Sequence, residues 1–198
     1  NSDRLSWVLL PVSIDRAAIL DRFARTRTRT RALFDLLDDD VYYECPIAFR
    51  NPIVFYEGHL SAFAVNTFLK KGLGRPGIDD HLENIFSRGI DPETMTTAIA
   101  RGNPAWPTRE TVQDYAAAAD QSLVDAISHA DLERDDHPLL RNAQALWTIL
   151  EHEEMHQETL AYMWHQLPYA QKRKPAHYVT APPRLLNVAP RAGRVRIP

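Results

Sequence analysis

The feature that most constrains this chain is an apolar stripe, interrupted by two histidines, along its longest helical stretch. The stretch covers residues 138–167, and the stripe consists of Ala145, Ile149, His152, His156, Leu160, Met163 and Leu167. Because this spacing places side chains on one face of a helix, it predicts a helix packed against partners along its length. The two histidines, four residues apart, must then point into the interior.

Three further stretches show the same helical periodicity. They cover residues 15–37, 52–70 and 108–129. Asp15 and Thr108 are good N-cap residues, and Pro52 suits the first turn of a helix. The four stretches predict an all-α fold, a four-helix bundle in which a long connection joins the second helix to the third.

Two regions lie outside these helices. The connection, residues 72–107, is rich in glycine and proline, and we expect short helices near residues 80–86 and 92–100. A connection of this length is uncommon in a compact domain and is often functional. The C-terminal tail is rich in proline and basic residues, which predicts a linker. We therefore expect a helical domain over residues 1–170 and a separate segment over residues 171–198.

Composition narrows the class of protein. A formal net charge of -3 in 198 residues argues against a nucleic-acid-binding protein. We interpret the one basic run, residues 25–31, as the solvated face of a helix. Cys45 is the only cysteine, which excludes a disulfide framework and favours a cytoplasmic protein. No apolar run approaches the length of about 18 residues that a membrane span needs.

Three histidines form a candidate metal site. The imidazoles of His152 and His156 would lose hydration inside a bundle. A divalent metal bound to both rings would compensate for this loss. A second inward stripe, on the second predicted helix, consists of Phe55, Tyr56, His59, Ala62, Phe63 and Asn66. We therefore predict His59, His152 and His156 as the ligands. Three protein ligands leave coordination positions open, as in catalytic sites.

The remaining histidines fall in predicted loops, at helix ends or off the stripe, and we expect no role for them in the site. They are His81, His129, His137, His165 and His177. The nearby acidic residues are ambiguous. Glu153 and Glu158 fit two roles equally well, as hydrogen-bond partners of the ligands or as solvated surface residues.

A zinc metalloprotease is one alternative, because H-E-E-M-H at residues 152–156 matches the helix of such enzymes, with Glu153 as the base. The extended form of that motif requires glycine at position 159 and histidine at position 162, where this chain has Thr159 and Tyr162. No sheet that could hold a peptide is predicted. A metalloprotease therefore ranks below the other metal-binding functions.

Two segments together resemble a known family. They are E-G-H-L-S-A-F, residues 57–63, and E-H-E-E-M-H-Q-E-T-L, residues 151–160. Both are similar to the DinB-like N-terminal domain of the ergothioneine sulfoxide synthases, which are non-haem iron enzymes. The resemblance covers roughly residues 15–170.

The resemblance implies a metal and a reaction. His59, His152 and His156 would hold Fe(II), for which zinc, nickel or cobalt could substitute. The reaction would form a C–S bond, with O2, between a thiol of the cysteine or γ-glutamylcysteine type and a histidine derivative, as in ergothioneine biosynthesis. The product would be a sulfoxide.

The resemblance also implies a second domain, similar to the formylglycine-generating enzyme. Residues 195–198 look like its first strand, cut off as it begins. This second domain would supply the catalytic acid, so the chain alone is expected to be inactive. The alternative is a metal-dependent thiol transferase, or another divalent-metal-binding bundle of the DinB type. Proteins of that kind end after the bundle, whereas this chain continues. A bundle with purely structural histidines is a third class.

Overall fold

The structure, a computed structural model, describes residues 14–48, 50–87 and 105–175. The described residues contain five α-helices: α1 (Arg16–Phe34), α2 (Ile53–Ala64), α3 (Asp80–Phe86), α4 (Arg109–His129) and α5 (Gln144–His165). Short 3-10 turns occur at Asp39–Val41, Arg141–Ala143 and Tyr169–Gln171. Within the described residues the only β pairing is an isolated bridge between Leu37 and Lys172, and the predicted all-α class is confirmed.

Helices α1, α2 and α4 begin within one residue of the positions that their N-terminal residues predict. The Asp15 carboxylate accepts a hydrogen bond from the backbone N–H of Ala18 at 3.0 Å, at the start of α1. The Thr108 hydroxyl accepts from the backbone N–H of Thr111 at 3.2 Å, at the start of α4. Pro52 occupies the N-cap position of α2. Each cap satisfies or avoids a backbone donor that the first helical turn cannot pair internally.

Helices α1 and α5 each differ from the prediction at one end by three residues or more. Helix α1 ends at Phe34, three residues early, because the backbone beyond it pairs with the tail; the N–H of Arg173 donates to the carbonyl of Leu36 at 2.7 Å. Helix α5 begins six residues later than position 138, because Asn142 and Ala143 both have a φ of 53°. A left-handed backbone interrupts the helical hydrogen-bond ladder, which the apolar periodicity does not report.

The second helix changes its winding after the candidate ligand His59. From Val65 to Gly72 the chain is π-helical, and this segment replaces the predicted α-helical end at residue 70. Turns of this type are frequent near functional sites. The connection that follows contains α3 where a short helix is predicted, and the second expected helix, at residues 92–100, lies outside the described residues.

Four long helices form the predicted bundle. Helix α2 packs against α4 and α5, and α1 packs against α4 and α5. The core has two clusters of buried side chains, one around Phe34, Tyr56 and Trp164 and the other around Phe23 and Phe68. On α5 the two histidines occupy the interval between the clusters. The candidate site therefore lies in a layer between two hydrophobic halves.

The basic run at residues 25–31 is only partly solvated. Arg25, Arg29 and Arg31 are exposed, as expected. Arg27, by contrast, is 5% exposed and forms ion pairs with Asp120 and Glu153, so the solvated-face interpretation is wrong for this residue. The helical period places Arg27 on the buried face of α1, where two carboxylates from other helices compensate its charge.

The tail folds back on the bundle at its start. Arg173 forms ion pairs with Asp38 at 2.6 Å and Asp39 at 3.1 Å. The domain boundary between residues 170 and 171 stays a prediction, and residues 195–198 lie outside the described residues. None of the described helices has the length and apolar character needed to cross a membrane.

Candidate metal centre

The three predicted ligands meet in the structure. His59 on α2 and the pair His152 and His156 on α5 each offer one nitrogen, and these nitrogens all lie within 4.8 Å of one another. The ring centroids are 5.1 Å apart for His59 and His152, and 4.5 Å for His152 and His156. His59 and His156 are buried and His152 is half-buried. Residues from two helices that are distant in sequence thus converge as the two stripes predict.

The imidazoles carry nitrogens without hydrogen bonds. Nε2 of His59, Nδ1 of His152 and both nitrogens of His156 are buried and unpartnered among the described residues. A buried polar atom without a partner costs about 1–3 kcal/mol, so this cluster is unfavourable unless something fills it. A divalent cation that accepts the lone pairs removes the penalty, and the donor set therefore fits a metal.

One ligand is oriented by a backbone carbonyl. Nδ1 of His59 donates to the carbonyl oxygen of Phe86 at the end of α3, at 2.7 Å. This bond fixes the tautomer and leaves Nε2 with its lone pair directed toward the other two imidazoles. Gly58 makes the approach possible, because a Cβ at this position would overlap the ring of Phe86. The glycine of the E-G-H segment is thus a packing requirement of the site.

Aromatic rings enclose the cluster. Phe63 stacks on His152 with centroids 3.6 Å apart, and Phe55 stacks on His59 at 4.9 Å. The ring centroids of Tyr56 and His156 are 6.0 Å apart. These rings restrict the rotation of each imidazole and exclude water from its faces.

The protein environment keeps the histidines neutral. Burial, followed by the neighbouring His156 and His59, lowers the pKa of His152 to about 3. Burial and the adjacent His59 lower the pKa of His156 to about 4. Burial lowers the pKa of His59 as well, against the opposing effect of the Phe86 carbonyl. Neutral imidazole is the form that binds a metal, so the site is ready for a cation near pH 7.

A cavity of about 460 Å³ lies beside His59 on the side of α3. Its lining combines a ligand, an aromatic ring, amides and charged groups, among them His59, Phe63, Asn66, Lys70, Asp80, Glu83 and Asn84. Its size suits a small polar molecule, and its lining offers both hydrogen-bond donors and acceptors.

The face of α5 next to the ligands is also buried, and its partners on another helix were not predicted from the sequence. Glu153 is 3% exposed and accepts a hydrogen bond from the Thr30 hydroxyl at 2.6 Å, so its solvated interpretation is wrong. Gln157, 6% exposed, donates to the same hydroxyl at 2.9 Å. Glu158 is exposed. The i, i+4 spacing of Glu153 and Gln157 was a signal of a shared face, but nothing local identifies what that face meets.

The histidines predicted to have no role lie apart from the cluster where the structure describes them. His81, His129 and His165 are exposed, and His137 is half-buried. His177 lies outside the described residues. Of the described residues, His59, His152 and His156 are the one group of three side chains with metal-ligand spacing.

The class of protein defined here is a helical bundle with three inward histidines, and a family comparison names that class. The profile of the DinB superfamily matches residues 22–160, which include all three histidines, and the chain belongs to this superfamily. Among individual proteins, the chain is similar to two that are each named ergothioneine biosynthesis protein 1. The protein from Neurospora crassa is 30% identical over 169 residues, 81% of this chain and 19% of the relative. The protein from Schizosaccharomyces pombe is 26% identical over 137 residues, 66% of this chain and 17% of the relative. The matched chain thus spans less than a fifth of either relative.

Proposed function

We propose that His59, His152 and His156 hold Fe(II) and that this domain belongs to an O2-dependent sulfoxide synthase of ergothioneine biosynthesis. The observation that carries the proposal is the convergence of three neutral imidazoles with unpartnered nitrogens. The similarity to two proteins named for ergothioneine biosynthesis supports the choice of reaction. The substrates would be a thiol of the cysteine or γ-glutamylcysteine type and a histidine derivative.

The donor set is suited to this chemistry. Three neutral nitrogen ligands leave several coordination positions free, and a bound ferrous ion would supply oxygen activation and a meeting point for both substrates. The chain's own residues orient the imidazoles through the Phe86 carbonyl and the ring of Phe63. The cavity beside His59 gives a small polar substrate a route to the cluster.

We further propose that the domain is not sufficient for turnover. Two acids line the cavity beside His59, Asp80 and Glu83, and both pair with Lys70 at 2.9 Å. Neither of these described carboxylates is therefore free to act as the catalytic acid. The relatives are about five times longer than the matched segment, so a further domain is available to supply that acid. Combining this chain with thiol, trimethylated histidine, Fe(II) and O2 should therefore give no sulfoxide.

The metal assignment is tested by anaerobic loading with Fe(II) followed by metal analysis. The unmodified chain should retain about one iron per protein, and His152→Ala should retain little. His129→Ala, which removes an exposed histidine, is the matched control and should retain iron like the unmodified chain. Equal iron in the His152→Ala variant and the unmodified chain would refute the assignment.

The alternative functions, a metalloprotease and a thiol transferase, would use the same residues in different ways. In a metalloprotease Glu153 would be the base, but its carboxylate is occupied by Thr30 and Arg27 at 2.6 and 3.0 Å. A thiol transferase of the DinB type would use the same three histidines, and thiol transfer without O2 would reveal it. The two relatives favour the sulfoxide synthase, because both are named for ergothioneine biosynthesis.

A further inference from the structure

Helix α5 is tied to α1 by a buried polar network that begins at the residues following each histidine ligand. Glu153, next to His152, accepts from the Thr30 hydroxyl at 2.6 Å. Gln157, next to His156, donates to the Thr30 oxygen at 2.9 Å. One hydroxyl therefore donates to one residue and accepts from the other, and both of its hydrogen-bonding functions are used.

The network extends to a third helix and a backbone carbonyl. Arg27 lies 3.0 Å from the second oxygen of Glu153 and 2.9 Å from Asp120 on α4. Gln157 also donates to the carbonyl of Thr26 on α1, at 3.0 Å. Each side chain of this network is buried except that of Asp120, so the bonds are little weakened by water.

Through the geometry of the helix, these bonds also set the direction of the two ligands on α5. Successive residues are about 100° apart around the axis, so fixing positions 153 and 157 fixes the direction of the two imidazoles. A rotation of α5 by about 10° would move an atom about 5.5 Å from the axis by about 1 Å. Metal–ligand distances tolerate only about 0.2 Å, so free rotation of this size would spoil the site.

We propose that Thr30 is a positioning residue for the metal centre, because it holds α5 at the rotation that brings His152 and His156 to His59. This inference rests on the proposed function, since it concerns the same three ligands. Thr30 contacts none of the imidazoles itself. It acts through Glu153 and Gln157, and its removal should loosen the two ligands of α5 together.

A neighbouring contact provides a control on the same pair of helices. Glu154 forms an ion pair with Arg22 at 2.6 Å and accepts from the Thr26 hydroxyl at 3.3 Å. Its side chain is 30% exposed, and that of Arg22 is 34% exposed. This pair also joins α5 to α1, but water competes for it, and exposed pairs of this kind contribute little.

The experiment compares Co(II) binding, a spectroscopic probe of a site of this kind, in four proteins under anaerobic conditions. Thr30→Val keeps the shape of the side chain and removes the hydroxyl, whereas Thr30→Ser keeps the hydroxyl. We expect Thr30→Val to weaken Co(II) binding about 10- to 100-fold and to change the visible absorption of the bound cobalt. Thr30→Ser and Glu154→Gln should stay within about threefold of the unmodified chain in affinity and keep its spectrum.

The affinity and spectrum are measured well below each melting temperature, so that a loss of folding stability alone does not change them. If Thr30→Val is too unstable, Gln157→Met keeps the volume, removes both donated bonds and should give the same loss. Unchanged affinity and spectrum in the fully folded variant would overturn the role of Thr30 and leave the metal site intact. Absence of Co(II) binding by the unmodified chain would overturn the site and this inference with it.

Discussion

Gly58→Ala is the substitution whose effect the structure defines most sharply. A methyl group at this position would overlap the ring of Phe86, which is fully buried and stacks on Trp106 with centroids 6.1 Å apart. The rings of Phe55 and Trp106 pack against it and oppose its displacement. The end of α3 must therefore shift away from α2, and the Phe86 carbonyl shifts with it, away from His59.

The size of the effect follows from two opposing contributions. Overpacking a core costs about 1–3 kcal/mol, and replacing a glycine inside a helix by alanine recovers about 0.5–1 kcal/mol. The net loss of unfolding free energy should be about 1–2 kcal/mol, or a fall in Tm of roughly 2–8 °C for a chain of this length. Loss of the bond that orients His59 should weaken metal binding about 10- to 100-fold.

Gly72→Ala is the matched control for this measurement. A Cβ at position 72 would lie 3.4 Å from the carbonyl oxygen of Thr67 and 3.5 Å from Leu140, which are ordinary contacts. This variant should be as stable as the unmodified chain, or slightly more stable, and bind metal equally well. Thermal unfolding gives the Tm of both variants, and Co(II) titration gives their affinity for metal. If Gly58→Ala matched Gly72→Ala in Tm and affinity, the close-approach argument would be wrong.

Three further outcomes are expected. In the metal-free protein the pKa values of His152 and His156, about 3 and 4, lie below the ordinary value of about 6.5 for an unfolded chain. The unfolded state therefore binds more protons than the folded state, and the free energy of unfolding should fall as the pH drops below about 6.5. Urea denaturation in the presence of a chelator measures this. A free energy of unfolding that does not change from pH 7 to pH 5 would contradict it. With metal at 100 times its Kd, binding should stabilise the fold by about 2.7 kcal/mol, and a chelator should reverse the rise in Tm. Arg27→Met should lower the free energy of unfolding by about 3–5 kcal/mol, because it leaves the buried carboxylate of Glu153 without its cation. The control Arg25→Met, at an exposed position, should change it by less than about 0.5 kcal/mol. Urea denaturation measures both.

The convergence of His59, His152 and His156 was predictable from the sequence because the three residues lie on periodic stripes. The i, i+4 spacing of His152 and His156, within an otherwise apolar face, reports a local geometry that any α-helix imposes. His59 followed from a second stripe of the same kind. The caps at Asp15 and Thr108 were predictable for a similar reason, since they depend on neighbours three residues away.

Helix ends without such local signals were predicted poorly. The early end of α1 depends on pairing with a tail segment more than 130 residues away, as the bond from Arg173 to Leu36 shows. The late start of α5 depends on left-handed conformations at Asn142 and Ala143 that apolar periodicity does not encode. Contacts between distant segments override local preference, because their free energy exceeds the small differences in helix propensity.

The spacing of His152 and His156 and the face that they share were determined by the local sequence of one helix. Their burial and neutral state depend on the packed bundle, including His59 from another helix. The tertiary structure decided which groups hold that pair in place. Thr30, Arg27 and the Phe86 carbonyl come from other helices, and only packing brings them to the ligands. A one-dimensional pattern specifies which side chains share a face, whereas the partner of that face is selected by shape and charge across the whole bundle.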